Sequence, residues 1–195
     1  VLRELRRRYP EAFIQVVTEE TIVLENNPHI NKVLHPDHMS KTDPWDFYLN
    51  LNDAYETNPL CNYIDCYFAR AFGRPELLPA TVDKSIRVYP TTSEVEKVDK
   101  IIREKIKTDF IVVHMRRWAW ENKNVDPIIW TTLFAYIEQE YPRTKIVSVG
   151  AQYDIRAPGS AGSRYVDLNE QLSIGETRHL IANARCFIGG DSGPY

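Results

Sequence analysis

The run Phe110-Ile111-Val112-Val113-His114 carries no polar side chain before its last position. A strand that is apolar at successive positions sends greasy side chains to both faces of a sheet. Both faces must then be covered, which is the condition of a parallel sheet wrapped by helices. The flanking sequence supplies those helices. Ser93 and Glu96 match a capping box, and Val95, Val98, Ile102 and Ile106 continue it as a helix with one apolar face. Asp126-Pro127 reads as N-cap and first turn of another helix, with Ile129, Trp130, Leu133, Phe134 and Ile137 on its apolar face and Pro142 beyond its end. Lys145 to Val149 is the next strand and stops at Gly150. The glycine- and serine-bearing stretch from Ala151 to Arg164 is expected to be a mobile loop. Tyr165 to Leu168 is a third short strand, Ser173 to Glu176 a second capping box, Thr177 to Asn183 a helix, and Cys186 to Gly189 a fourth strand. This order predicts half of a doubly wound α/β domain.

The first half is less regular but follows the same alternation. Leu2, Leu5 and Arg6-Arg7-Arg8 read as a helix whose cations suit its C-terminal end, stopped by Pro10. Phe13 to Val17 is expected to be a strand, Glu19 to Glu25 a short helix, Lys32 to Leu34 a strand and Asp46 to Leu51 another. Cys61 to Phe72 places Ile64, Tyr67, Phe68 and Ala71 at helical spacing, with Gly73 as C-cap and Pro75 preventing continuation. Arg74 to Thr92 holds Pro75, Pro79 and Pro90 with little periodicity, apart from a possible strand at Ser85 to Val88. The domain boundary is placed there, giving residues 1–90 and 91–195.

Composition limits the classes of function. A net charge of −3 gives no electrostatic case for nucleic acid as the main partner. No apolar run reaches the roughly 20 residues needed to span a bilayer. The 3 cysteines make no disulfide framework, and their odd count favours a reducing, cytoplasmic setting. His29, His35 and His38 lie close together near Asp37, but in a proline-bounded, loop-like run; a solvated loop is expected there and no metal site.

Two loops carry the chemistry. Loops at the carboxyl ends of parallel strands are where open α/β sheets bind ligands. The one after Phe110–His114 holds Arg116, Arg117 and Lys123 with Trp118 and Trp120 between them. The one after the last strand reads Gly189-Gly190-Asp191-Ser192-Gly193-Pro194-Tyr195. Glycines there let the backbone approach a ligand, and the N–H groups of a helix start attract anions such as phosphate. Gly-Asp-Ser-Gly also surrounds protease serine nucleophiles, but none of the 5 histidines stands in a supporting context.

The order of segments resembles the heptosyltransferase family, glycosyltransferase family nine. The resemblance is carried by Asp167-Leu168, by Leu172-Ser173-Ile174 with Glu176, by the helix Arg178 to Ala184, and by Phe187-Ile188-Gly189-Gly190-Asp191-Ser192-Gly193-Pro194. In the first half it is carried by Leu2 to Ala12 and by Asn27-Pro28-His29-Ile30-Asn31-Lys32-Val33. It implies a GT-B fold of two Rossmann-like domains, both incomplete in this chain: an acceptor-side domain at 1–90 and a donor domain at 91–195. It implies sugar transfer from a nucleotide diphosphate donor by direct displacement, without bound metal or cofactor. In that family the donor is ADP-heptose and the acceptor is lipopolysaccharide inner core; peripheral membrane contact is compatible with such an acceptor.

By the same resemblance, Lys123 contacts phosphate, Asp191 accepts from sugar hydroxyls, and the N–H groups of Ser192 and Gly193 take up charge on the leaving diphosphate. Arg116 and Arg117 depart from the small and hydroxyl residues usual in that loop. They replace hydroxyl contacts to phosphate, contact another acceptor, or are structural. The family's general base lies in a loop expected upstream of Val1, so no residue here inherits that role, and the fragment is expected to be truncated at both ends and inactive. Other readings are a sugar-nucleotide epimerase or fucosyltransferase-like protein of GT-B type, and a non-catalytic nucleotide- or sugar-binding module.

Overall fold

A computed structural model describes residues 1–40, 44–56, 63–73, 83, 85, 87–117, 124–152, 154–156 and 164–190. The chain divides into two compact units, Val1–Arg87 and Val88–Tyr195. No helix among the described residues is long and apolar enough to cross a membrane.

In the first unit, α1 (Leu2–Arg8) precedes β1 (Gln15–Val17) and β2 (Lys32–Leu34), which pair in parallel with Gln15 opposite Lys32. Asn31 fixes the register. Its Oδ1 accepts from Ile14 N at 2.8 Å and from Arg6 Nη2 at 2.6 Å, while its own N–H donates to Ile14 O at 2.8 Å. Glu4, buried on α1, accepts from Arg7 Nε at 2.8 Å and Arg8 Nε at 2.7 Å. Those bonds, Arg7 foremost, outweigh burial and hold its carboxyl down at about 2. α2 (Tyr63–Phe72) ends as expected on Gly73, at φ +95°, whose N–H closes on Ala69 O at 2.9 Å.

Two expectations fail in this unit. Glu19 to Glu25 forms only a single 3-10 turn at Thr21–Val23. Its three central residues are β-branched, which restricts the side chain in a helix. Asp46 to Leu51 is not a strand. Phe47 and Tyr48 are 72% and 66% exposed, and Asn50 Oδ1 instead takes the Asn52 N–H at 2.9 Å, a local bond that competes with strand pairing. Of the strand expected at Ser85 to Val88, residue 86 lies outside the described residues, and the others are irregular.

The described residues of the second unit form a four-stranded, all-parallel sheet in the order β5-β4-β3-β6. Its strands are β3 (Phe110–His114), β4 (Lys145–Ser148), β5 (Tyr165–Asp167) and β6 (Phe187–Gly189). Every residue of β3 is buried, and its side chains divide by parity. Phe110 and Val112 pack with Val147, Leu168 and Leu180 in one core; Ile111 and Val113 pack with Ile146, Trp130 and Phe134 in the other. The first core is closed by α3 (Thr92–Ile101) and α5 (Ile174–Asn183), the second by α4 (Pro127–Glu140). Helices on both faces are what the apolar run required.

The helix starts are fixed by side chains. Asp126 caps α4 by accepting from Ile128 N at 2.9 Å, with Pro127 in the first turn. Ser173 and Glu176 form the expected capping box on α5. On α3 the box lies two residues earlier than the sequence reading: Thr91 Oγ1 accepts from Glu94 N at 3.2 Å, and Glu94 Oε2 from Thr91 N at 2.7 Å. The earlier register lets Glu94 serve a second helix as well, since its other oxygen accepts from the Ser173 hydroxyl. Lys97 adds a bond to Glu176 at 2.8 Å, so the two helices are tied at their first turns. α3 runs on through one wider turn, Ile102–Ile106, closed by the Lys107 N–H on Ile102 O at 2.8 Å, and Lys107 at φ +64° ends it.

Candidate functional site

The strand order contains one reversal. From β3 the chain builds outward through β4 to β5, then returns to place β6 on the other side of β3. β3, the first strand of the unit, therefore lies between β4, which follows it in the chain, and β6, which ends the described part. The crevice outside the carboxyl ends of such strands is where doubly wound sheets take their ligands. Val112, Val113 and His114 stand opposite Phe187, Ile188 and Gly189 in a parallel ladder. The arginine-bearing loop after β3 and the glycine-rich turn after β6 thus leave the same edge of the sheet from neighbouring strands.

Arg116 and Arg117 are the sequence-predicted site residues that the structure describes. Arg116 is half-buried and Arg117 exposed, both just past the buried Met115. Lys123, Asp191, Ser192 and Gly193 lie outside the described residues, as do Trp118 and Trp120. Gly190, the last described residue before that turn, follows β6 directly. A Cβ at Gly189 would lie 2.8 Å from the tip of the Phe187 ring, which would have to shift to admit a side chain.

Sequence reasoning missed the pair beneath this edge. His114 closes β3 and is 5% exposed, and its Nε2 lies 2.9 Å from Asp154 Oδ2. Asp154 comes from the loop after β4, which was expected to be mobile. Its described part is instead anchored. Ile155 N donates to Met115 O at 2.8 Å, forming an antiparallel bridge onto the start of the arginine loop. Asp154 accepts from Ala151 N at 2.7 Å through Oδ2 and from Arg117 N at 3.1 Å through Oδ1. Burial works to raise this carboxyl, but the bonds from Ala151 N, His114 and Arg117 N prevail and hold it below its ordinary range. Arg156, next along, bonds Asp167 at 3.1 Å and Glu170 at 2.6 Å, tying the same loop to the end of β5. The only signals in the sequence were a histidine at a strand end and an acid shortly after Gly150. Their pairing spans 40 positions and has no periodicity to reveal it.

Among the described residues no group of His, Cys, Asp and Glu could hold a metal ion. His35 of the histidine loop pairs with its neighbour Asp37 at 3.2 Å. An open depression of about 410 Å³ lined by Thr108, Arg143 and Arg185 lies at the amino ends of β3, β4 and β6, the edge away from the reversal.

No family model matches the sequence, and no curated protein sequence matches it. The fold does have counterparts. The crystal structure of a glycosyl transferase family 9 protein from Veillonella parvula DSM 2008 superposes with a TM-score of 0.71 at 14% identity, over 99% of this chain and 70% of that one. The ADP-heptose lps heptosyltransferase II of E. coli superposes with a TM-score of 0.65 at 13% identity, over 98% of this chain and 73% of its own. The chain therefore has the α/β, parallel-sheet fold of these glycosyltransferases, and the family resemblance read from the sequence holds at the level of fold.

Proposed function

We propose that the protein is a glycosyltransferase of GT-B type that takes a sugar from a nucleotide diphosphate donor. The donor binds outside the carboxyl ends of β3 and β6. One observation carries this reading: the strands that deliver the arginine loop and the Gly-Gly-Asp-Ser-Gly turn are parallel neighbours flanking the reversal of strand order. A departing diphosphate gathers negative charge, which fixed N–H groups and guanidinium groups stabilise without rearrangement. Arg116 and Arg117 supply that charge from one side, with Lys123. In this reading Asp191 accepts from the sugar, and the Ser192 and Gly193 N–H groups take up charge on the phosphates. No metal or cofactor is needed when cations and N–H groups do this work.

The fold's likeness to a heptosyltransferase favours a heptose-like sugar and a lipopolysaccharide-type acceptor. The 1–90 region is then the acceptor side, 91–195 the donor side, and the reaction cytoplasmic with peripheral contact to a membrane-borne acceptor. The test is titration of the intact protein with ADP, GDP and UDP, and with their nucleosides. Millimolar or tighter binding of one diphosphate is expected. Arg117→Ala should weaken that diphosphate about 10- to 150-fold, the loss of one hydrogen bond to a charged group at about 1.5–3 kcal/mol, and leave the nucleoside unaffected. Binding of no diphosphate would end this reading.

A further inference from the structure

We infer that Asp154 is a positioning residue for the diphosphate site, acting through the backbone of the arginine loop. The inference rests on the donor-site reading above and adds to it a residue from a different loop. The Asp154 carboxylate stands where β3 hands over to that loop. One oxygen holds His114 Nε2 at 2.9 Å and Ala151 N at 2.7 Å; the other holds Arg117 N at 3.1 Å. The chain next to it bridges Met115 through Ile155 N. Residues 114, 115 and 117 are therefore all held by Asp154 and Ile155, from the loop that follows β4, while β6 pairs with β3 on its other side. Gly150 belongs to the same device. Its φ of +156° is one that side-chain-bearing residues rarely adopt, and a Cβ there would meet Asp154 Oδ2 at 2.6 Å.

The position of an acid here needs an explanation, because a carboxylate near a diphosphate repels it. Three donors occupy this one, and its effect passes to the ligand through geometry. With the Arg117 N–H committed to Asp154, the start of the loop is ordered before the ligand arrives, and that ordering is not charged against binding. An amide cannot substitute. Asn has one acceptor oxygen and presents N–H donors where the other donors already point.

The test compares wild type, D154N, R117A and the double variant of the intact protein. The probes are whichever of ADP, GDP and UDP binds wild type most tightly, and its nucleoside. D154N should weaken the diphosphate about tenfold, in line with losing the pre-ordering of a few side chains, and leave the nucleoside within twofold. The double variant should bind the diphosphate no worse than R117A alone, because Asp154 works through that loop. A general structural defect would instead weaken both probes and add to R117A. Amide hydrogen exchange on wild type provides a second arm should D154N fail to fold. The Arg117 N–H should be protected in the free protein, and exchange at the rate of an unstructured amide would overturn the proposal. Wild-type diphosphate binding with D154N within twofold of it would overturn this proposal alone. No diphosphate binding by wild type would remove the donor-site reading and this proposal together.

Discussion

Glu94 joins two helices through one carboxylate, and its removal tests the packing that holds the sheet's first face. It accepts from Thr91 N at 2.7 Å, from Thr91 Oγ1 at 3.0 Å and from the Ser173 hydroxyl. Glu94→Ala removes half of the α3 capping box, worth about 1 kcal/mol. It also removes the tie to α5, a hydrogen bond to a charged acceptor worth about 1.5–3 kcal/mol. Because both bonds share one side chain their losses overlap, and a net cost of about 2–3 kcal/mol is expected. With a urea slope of about 1–3 kcal/mol per molar, the midpoint should fall by roughly 0.7–3 M. Glu94→Gln keeps an acceptor for Thr91 N and an amide that can meet Ser173 Oγ, so it should lose less than half as much. The Ser173 hydroxyl, and then Thr91, hold the Glu94 carboxyl below its ordinary value. A depressed acid contributes stability above its unfolded pKa, about 4.3, and loses it as pH falls through the lower folded value. Wild type should therefore lose stability below about pH 4.3 more steeply than E94A does. An E94A midpoint unchanged at neutral pH, or acid profiles that run parallel, would refute the shared-carboxylate account.

Three further outcomes follow from the same geometry. A Cβ at Gly175 would lie 2.7 Å from both Glu94 carboxylate oxygens; Gly175→Ala should thus fail to stabilise wild type, yet stabilise E94A by about 0.5–1 kcal/mol, the ordinary helical preference for alanine, as read by a double-mutant cycle in urea. Glu4→Gln should cost the first unit about 1.5–3 kcal/mol at neutral pH and flatten its acid profile, since the Glu4 contribution disappears as pH falls from about 4.3 toward the folded value of about 2; circular dichroism at stepped pH reads this. Leu180→Ala, at a fully buried position between α5 and the sheet, should cost about 2–5 kcal/mol by chemical denaturation.

What the sequence made legible was whatever rests on local pattern. β3 is recognisable because four successive apolar residues, Phe110 to Val113, leave no polar face. The starts of α4 and α5 are recognisable because Asp126-Pro127 and Ser173/Glu176 perform their capping within a single turn. Ambiguity entered where two patterns overlapped. Thr91/Glu94 and Ser93/Glu96 both satisfy a capping box, and the choice between them is made by Ser173, 79 residues away in the chain. The supposed strand at Asp46 to Leu51 failed for a related reason: strand propensity needs a partner, and Asn50 satisfies the backbone locally instead. At the candidate site the two loops were visible because glycines and clustered arginines mark themselves. Their adjacency followed only from strand order, and the His114–Asp154 anchor only from coordinates.

The central claim is that a nucleotide diphosphate sits on the carboxyl edge between β3 and β6. Hydrogen–deuterium exchange of the intact protein, with and without the best-binding diphosphate, examines it directly. Added protection should concentrate in 115–117 and 190–193 and be absent from Thr108, Arg143 and Arg185 at the opposite edge. Protection confined to that opposite edge, or no protection at saturating ligand, would contradict it.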